Sequence, residues 1–453
     1  MKLSFIQCRA LFFLLVSILG YIFTPRQQEF SLILYYITVF VALTSLILFL
    51  KSRCKRNYFD FDTIFLSVCY IIGFFASFFY KQPFYRALFF FEFNYSYLNS
   101  GAWLFTIGMN AYFCGSLFVK PGIESFANRQ RIYPTLILFC IDIVLMLVFI
   151  FSGGITYYQQ IYGTSEGTSS GYVTYILLLL TIVSVLLIVL EIRNKFIDNR
   201  YIIHKKYFVV IVLFSLLLLY VGNRTTASML LLPILGLYAF WFKPITLKLF
   251  VVFLLLAILS MWIVQKNRAN EEVGLNSASP ALLLIDMTIP SRTIYESMDY
   301  VDNYGYTYGK SMALGILGLI PGLAGVVTNG SPDYGSAELL SQYTFYKQEV
   351  PDEYQIGLGT TIISDLYLSF GIIGVIALMW MLGKVVHTIE LRSRFGNLFA
   401  SYILGIFLAN SVFWARGSYT HPIRFVLWGM LLLFIYKSAI YTFNKYNRNA
   451  ETL

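Results

Sequence analysis

The sequence contains few charged residues. Of its 453 residues only 12% are Asp, Glu, Lys or Arg, whereas 58% are hydrophobic. A soluble domain usually carries about 25% charged residues, and a chain with about half of that cannot cover a water-facing surface. A cytosolic enzyme, a disordered chain, a collagen-like fibre and a disulfide-rich scaffold are therefore excluded. The composition indicates a polytopic integral membrane protein.

Histidine and cysteine are also scarce. Of three histidines only His421 falls on the external side of the topology derived below, so a Ser–His–Asp hydrolase site is difficult to assemble there. The five cysteines fall in apolar runs or in basic loops that we place in the cytoplasm: Cys8, Cys54, Cys69, Cys114 and Cys140. We expect no disulfide, and the Cys and His spacing matches no metal-ligand pattern.

Apolar runs long enough to cross a bilayer recur along the chain. A spanning helix needs about 20 mostly apolar residues, and lipid offers the backbone no hydrogen-bond partner, so such segments are helical. Twelve runs are found, near residues 4–23, 30–50, 61–80, 98–118, 134–152, 172–191, 207–222, 225–242, 248–265, 359–386, 397–414 and 423–440. The predicted fold class is all-α, with about 12 transmembrane helices.

The loop charges set the predicted orientation. Of the 33 basic residues, 22 fall on one side of this topology, which places both termini in the cytoplasm. The chain then divides into nine helices over 1–265, a large periplasmic loop over 266–358, and three helices with a cytoplasmic tail over 359–453. The apolar segment 311–327 contains Pro321 and four glycines. We interpret it as a re-entrant or interfacial helix, because a span there would turn the later basic loops outward.

External arginines run against this charge bias. Five of them are candidates for one site: Arg224, Arg268, Arg292, Arg416 and Arg424. Arginine suits a diphosphate, because its planar fork donates two hydrogen bonds and stays charged. Several such groups held by short loops can converge on a lipid-linked phosphate. The alternative interpretation is that each one extends to a lipid head group.

Acidic and aromatic residues mark the same side. Asp365 lies one or two turns into the tenth apolar run, where an ionisable side chain is expected to face a polar cavity. It can accept a proton from a sugar hydroxyl or pair with an arginine. Four loop acids are expected in ion pairs or helix caps: Asp286, Glu296, Asp299 and Asp302. His421 binds an anion or is solvated, and tyrosines between 295 and 308 stack on sugars or form an interface belt.

Three features together resemble a known family. They are the hairpin 222–226 (GNRTT), the large external loop after the ninth span, and the run 357–383 (GLGTTIISDLYLSFGIIGVIALMWMLG) with its carboxylate and Phe-Gly-x-x-Gly pattern. In these the chain resembles the bacterial Wzy-type O-antigen polymerases, or oligosaccharide repeat-unit polymerases. The resemblance implies a GT-C-like membrane glycosyltransferase of the inner membrane, active on its periplasmic face in lipopolysaccharide biosynthesis.

The resemblance also implies a reaction and its participants. The enzyme would transfer a growing glycan from undecaprenyl diphosphate to the next lipid-linked repeat unit, with inversion and without a metal or other cofactor. Arg224, Arg268 and Arg292 would bind the donor diphosphate, with Arg416 and Arg424 in the same cavity. Asp365 would be the base or an arginine-orienting partner. The partners are then the two lipid-linked oligosaccharides, the bilayer and a possible chain-length regulator, but no nucleic acid.

Two alternatives remain open at this stage. An O-antigen ligase shares the architecture and the lipid donor, but is expected to use a histidine in the large external loop, which has none here. A polysaccharide transporter or flippase is expected to contain Pro- or Gly-broken spans in matching halves of the chain, and no such pair is found.

Overall fold

The computed structural model describes residues 4–53, 56–78, 95–119, 132–161, 171–268, 288–351 and 357–450. Within these ranges the chain forms helices joined by turns and contains no β-strand, which confirms the predicted all-α class there. Four cysteines are free, namely Cys8, Cys69, Cys114 and Cys140. Cys54 lies outside the described residues.

The helices before the large loop follow the predicted apolar runs. In the described ranges they are α1 (Phe5–Phe23), α2 (Leu32–Ser52), α3 (Phe61–Phe78), α4 (Leu98–Leu117), α5 (Leu136–Phe151), α6 (Gly154–Ile161), α7 (Gly171–Ile197), α8 (Lys205–Val221), α9 (Arg224–Trp241) and α10 (Leu247–Arg268). All but the short α6 occupy a predicted run. Side-chain caps start several of them: Ser4, Ser31 and Asn223 each accept a first-turn backbone N–H.

Shorter helices fill the large loop and long ones follow it. They are α11 (Arg292–Tyr304), α12 (Ala313–Leu317), α13 (Leu323–Thr328), α14 (Ser336–Lys347), α15 (Ile362–Arg394), α16 (Leu398–Ala415) and α17 (Ile423–Ala450). The last three occupy the predicted tenth to twelfth runs.

Six stretches of helix in the described residues are long and apolar enough to cross a membrane. They are Phe5–Phe23, Leu32–Ser52, Tyr172–Ile197, Ile362–Arg394, Leu398–Ala415 and Ile423–Thr442. Shorter apolar stretches of helix lie in three further predicted runs, at Phe61–Phe74, Leu136–Phe151 and Leu247–Ala257. The count of twelve spans and the GT-C-like architecture therefore stay predictions.

The glycine-rich segment 311–327 is divided rather than continuous. Instead of one helix it contains α12 and α13, and Gly322 between them adopts a left-handed φ of 81°. Its side chains at Ile320 and Val326 are exposed. Its position relative to the bilayer stays a prediction.

Close contact between α4 and α15 forms the centre of the bundle. A Cβ added to Gly115 would lie 1.8 Å from the carbonyl oxygen of Trp380, and one added to Gly383 would lie 2.1 Å from that of Tyr112. Small residues at these crossings let two backbones approach, which gives membrane helices much of their packing energy. The core therefore holds the second half of α15 in a defined place.

The far end of α15 is tied to the N-terminal helices by buried charges. Arg53, at the end of α2, forms ion pairs with Glu390 on α15 and with Asp62 on α3, the latter at 3.1 Å. Both carboxylates and the guanidinium are largely buried. Because each charge is neutralised locally, the three helices are held together at this end.

A sharp break at Gly371 divides α15 into two arms, 362–370 and 372–394. Gly371 has φ 64° and ψ −158°, which is not helical. Residues eight apart in a straight helix lie about 12 Å apart, yet a Cβ on Gly374 would lie 3.2 Å from the carbonyl oxygen of Leu366. The Phe-Gly-x-x-Gly pattern thus folds the first arm back over the second.

The loop after α11 satisfies the backbone groups freed by this break. The carbonyl of Leu368 has lost its helical partner and accepts the N–H of Thr307 at 3.0 Å. The hydroxyls of Ser311 and Ser369 lie 3.1 Å apart. Tyr306 packs against Gly371, where an added Cβ would lie 2.8 Å from its hydroxyl. The large loop and the broken helix therefore form one structure.

We expect Gly371→Ala to lower stability by about 1–3 kcal/mol, because a side chain there is strained at this φ and meets Tyr306. The measurement is the apparent Tm of the purified protein in detergent. Gly357→Ala is the matched control, since nothing lies within 4 Å of its added Cβ. Equal Tm values for the two variants would contradict the role of the break.

Candidate functional site

The first arm of α15 begins in a capping box. The hydroxyl of Thr361 accepts the N–H of Ser364 at 3.2 Å, and the hydroxyl of Ser364 accepts the N–H of Thr361 at 3.0 Å. Ser364 also lies 2.7 Å from the hydroxyl of Thr293 on α11. The arm is therefore fixed at its start, and Asp365 follows directly in its first turn.

Asp365 holds the loop between α16 and α17. It is fully buried, and its Oδ2 accepts the backbone N–H of Tyr419 at 2.8 Å. The Tyr419 hydroxyl donates to the carbonyl of Leu378 on the second arm at 3.1 Å. The backbone carbonyl of Tyr419 accepts a hydrogen bond from Trp414 Nε1 at 3.0 Å. Burial raises the pKa of Tyr419 to about 12, which keeps this hydroxyl a donor. The loop is pinned to both arms of the broken helix.

Two predicted arginines lie at the ends of this loop. Arg416 caps α16 and Arg424 lies in the first turn of α17; both are half-buried. Because Tyr419 lies between them in sequence, the carboxylate of Asp365 positions the segment that carries both. The structure thus places Asp365 against the loop that begins at Arg416 and ends before Arg424.

His421 belongs to the same loop but carries no charge at neutral pH. Desolvation, together with the positive charge of Arg424, lowers the pKa of His421 to about 4. A neutral imidazole cannot bind an anion by charge. Its Nε2 is buried and has no hydrogen-bond partner among the described residues.

The segment that contains α12 lies against this loop. The hydroxyl of Thr420 donates to the carbonyl of Met312 at 3.2 Å, and Trp428 Nε1 donates to that of Leu319 at 2.9 Å. A Cβ on Gly315 would lie 2.1 Å from the Thr420 hydroxyl, and one on Gly318 would lie 3.6 Å from a nitrogen of Arg424. Glycine at position 315 leaves room for the loop, and Gly318 lies within van der Waals range of the arginine.

Arg224 lies at the start of α9, as Arg424 lies at the start of α17. Gly222, with φ 95°, closes the hairpin, and the side chain of Asn223 accepts the N–H of Thr226 at 3.0 Å. At the far end of α9, Trp241 Nε1 donates to the carbonyl of Ser393 at 3.3 Å. Since the C-terminal ends of α9 and α15 meet, Arg224, at the start of α9, lies toward the opposite end of the bundle.

Arg292 lies in a different environment from the other predicted arginines. It is 0% exposed, forms an ion pair with Glu296 one turn along α11, and donates to the hydroxyl of Thr344. Burial lowers the pKa of Arg292 and raises that of Glu296, and the attraction between them opposes both shifts. In this structure a ligand approaching from outside cannot reach the guanidinium.

Two more of the predicted loop acids form ion pairs. Asp299 pairs with Lys347 and Asp302 with Arg26, in agreement with the expectation of ion pairs for the loop acids. Asp286 and the side chain of Arg268 lie outside the described residues. In the part of the chain that is described, no group of three or more His, Cys, Asp or Glu is arranged to hold a metal ion.

Two residues in this region were not predicted from the sequence, namely Tyr419 and Arg26. Tyr419 carries no motif, and its role depends on backbone contacts that come from distant segments. Arg26, between α1 and α2, is a further arginine on the predicted external side, so the same charge bias indicates it.

The long apolar helices, with a polar loop pinned inside a broken helix, define the class: a multi-pass membrane protein with a site set into its helical bundle. A family model described as O-antigen polysaccharide polymerase Wzy matches residues 5–447, nearly the whole chain. The chain belongs to this family, which confirms the predicted resemblance and implies a glycosyltransferase-type enzyme acting on lipid-linked oligosaccharides. No curated protein and no solved structure matches the sequence.

Asp365 variants separate a positioning role from a catalytic base. Asn keeps an oxygen that can accept the Tyr419 N–H, whereas Ala leaves that buried donor unsatisfied, at a cost of about 1–3 kcal/mol. We expect Asp365→Asn to retain most polymer and Asp365→Ala to lose it. The measurement is the glycan ladder of a deletion strain that expresses each variant at equal protein level. Complete loss of polymer in Asp365→Asn would instead identify Asp365 as the base.

Proposed function

We propose that this protein transfers a growing glycan from undecaprenyl diphosphate to the next lipid-linked repeat unit on the periplasmic face of the inner membrane. The observation that carries the proposal is the pinning of the Arg416–Arg424 loop by Asp365 and Tyr419. A loop held at both arms of a broken helix presents its cations in a fixed arrangement. Preorganised charge of this kind stabilises a leaving anion without reorganisation during the reaction.

The proposed reaction is a direct displacement. A hydroxyl of the acceptor attacks the anomeric carbon of the donor glycan, the bond from that carbon to the diphosphate oxygen breaks, and the configuration inverts. The diphosphate leaves with the bonding electrons. Each charged donor that contacts it can contribute about 3 kcal/mol of transition-state stabilisation. In this proposal arginines carry the neutralisation, and no metal or other cofactor takes part.

We assign the diphosphate to Arg416 and Arg424, with Arg224 and Arg268 as further ligands from neighbouring helix ends. Arg292 was predicted among them, but its buried pairing with Glu296 supports a structural role. It then stabilises α11, which contacts the first arm of α15 through Thr293. The predicted diphosphate site is thereby reduced to residues at the ends of the helices.

The proton of the attacking hydroxyl requires an acceptor. One oxygen of Asp365 accepts the Tyr419 N–H and holds the loop in place, so we keep Asp365 in a positioning role. We assign the proton to the Nε2 of His421, which has no hydrogen-bond partner among the described residues. The pKa of this imidazole is about 4 without substrate. A diphosphate bound beside it would raise that pKa, because a nearby negative charge favours the imidazolium.

The lipid part of the donor needs a route from the bilayer. Segment 311–327 carries exposed apolar side chains on one side and contacts Thr420 and Arg424 on the other. Its glycines permit close approach of another chain. We propose that the polyprenyl chain lies along this segment while its diphosphate reaches the loop. In the orientation that the positive-inside rule predicts, the loop between α16 and α17 lies in the periplasm and both termini lie in the cytoplasm.

Replacing the loop arginines tests the proposal. We expect Arg416→Ala and Arg424→Ala each to reduce chain extension about 100-fold, the effect of one lost charged donor. Lysine should restore part of the activity, since it keeps the charge but loses the bidentate fork. The measurement is the glycan ladder, with the membrane protein level as a check on insertion.

Arg200→Ala is the control for these variants, because Arg200 is exposed at the other end of the bundle. It should give a ladder of normal length. Normal ladders in both Arg416→Ala and Arg424→Ala would exclude the diphosphate assignment.

A further inference from the structure

A second cluster lies on the other side of the first arm of α15. Tyr367 follows Asp365 by two residues, which places it about 200° around a helix, on the opposite face. Its hydroxyl lies 3.4 Å from that of Tyr21, and its ring centroid lies 6.3 Å from that of Tyr306. The short arm therefore carries the arginine loop on one face and tyrosines on the other.

Tyr308 extends this cluster outward. Its ring centroid lies 6.4 Å from that of Tyr306, and its side chain is 80% exposed. Its backbone φ of 50° lies in the left-handed region, where a bulky residue is rare and strained. An aromatic side chain that is both strained and exposed contributes little to stability. Strain of this kind is typical of ligand-binding positions.

Polar groups border the rings. Arg26 pairs with Asp302, whose other oxygen accepts the hydroxyl of Tyr97 at 3.1 Å. The side chain of Arg26 is 49% exposed and that of Asp302 is 23% exposed, so both are accessible. A sugar ring presents an apolar face and a rim of hydroxyls. Aromatic faces beside a fixed cation and carboxylate match both features.

A membrane-interface belt is the competing explanation for exposed tyrosines. Tyr220, at the end of α8, is 78% exposed and sits at the end of a regular apolar helix, as a belt residue does. Tyr308 differs from it in two respects. Its backbone is strained, and its neighbour Tyr306 packs inward against Gly371 and Tyr367.

We propose that this cluster is a saccharide subsite that binds the sugar residues of a repeat unit. It consists of Tyr21, Arg26, Asp302, Tyr306, Tyr308 and Tyr367. The inference rests on the proposed function and deepens it. The two faces of the arm are about 10 Å apart, the width of a helix. A short oligosaccharide covers that distance, so the subsite holds sugars while the loop binds the diphosphate.

The test measures binding of the free repeat-unit oligosaccharide, without lipid or diphosphate, to purified full-length protein in detergent by titration calorimetry. We expect Tyr308→Gly and Arg26→Ala each to weaken binding about tenfold, the effect of losing one aromatic or charged contact. Tyr308→Phe keeps the ring and should retain most of the affinity. Tyr220→Ala is the control matched in exposure and should bind as the wild type does.

Stability separates a ligand role from a structural one. Glycine relieves the strain at residue 308, so Tyr308→Gly should keep or raise the Tm while it loses binding. Wild-type affinity in both Tyr308→Gly and Arg26→Ala would overturn the subsite, as would an equal loss in Tyr220→Ala. A lowered Tm in Tyr308→Gly would also overturn it, because the residue would then be structural.

The outcomes also separate the subsite from the proposed function. Arg416→Ala should bind the free oligosaccharide normally, because that probe has no phosphate, and should still fail to extend chains. Loss of oligosaccharide binding in Tyr308→Gly together with normal ladders in both loop-arginine variants would keep the subsite and remove the diphosphate assignment. Wild-type oligosaccharide binding in Tyr308→Gly, together with lost chain extension in both loop-arginine variants, would remove the subsite and keep the diphosphate assignment.

Discussion

The positive φ at Gly371 is the constraint on which the site depends. It turns the first arm of α15 back over the second and exposes carbonyls that the loop after α11 then bonds. The short first arm contacts other parts of the protein on two opposite faces. One face holds the Arg416–Arg424 loop through Asp365, and the other contacts the tyrosine cluster through Tyr367.

Charges are divided between two tasks in this protein. Several acids on the large loop pair with cations, and Asp299 on α11 joins Lys347 on α14 in this way. Asp365 differs, because it accepts a backbone N–H and so orders a loop. Burying a charge is favourable only when it is neutralised or hydrogen-bonded. Carboxylates therefore contribute to the scaffold, and we assign the half-buried arginines at the helix ends to an anionic ligand.

The general architecture follows from local features of the sequence. Twelve apolar runs predict the long helices, since bilayer thickness and backbone hydrogen bonding leave few alternatives, and a helix occupies each of them. The Phe-Gly-x-x-Gly pattern identifies the family, but the break at Gly371 does not follow from it. Charge bias indicates Arg416 and Arg424 as candidates, and in the structure they lie at the two ends of one loop. It cannot show that Arg292 is buried, because that depends on Glu296 and Thr344.

The sequence by itself determined which segments are apolar helices, which ends carry arginine, and to which family the chain belongs. Tertiary structure decided the role of each polar group. The partner of Asp365 is the backbone of Tyr419, 54 residues away, and that of Arg26 is Asp302, 276 residues away. Composition and periodicity report the environment of a segment. A hydrogen bond between distant segments depends on how the helices pack, which no local pattern specifies.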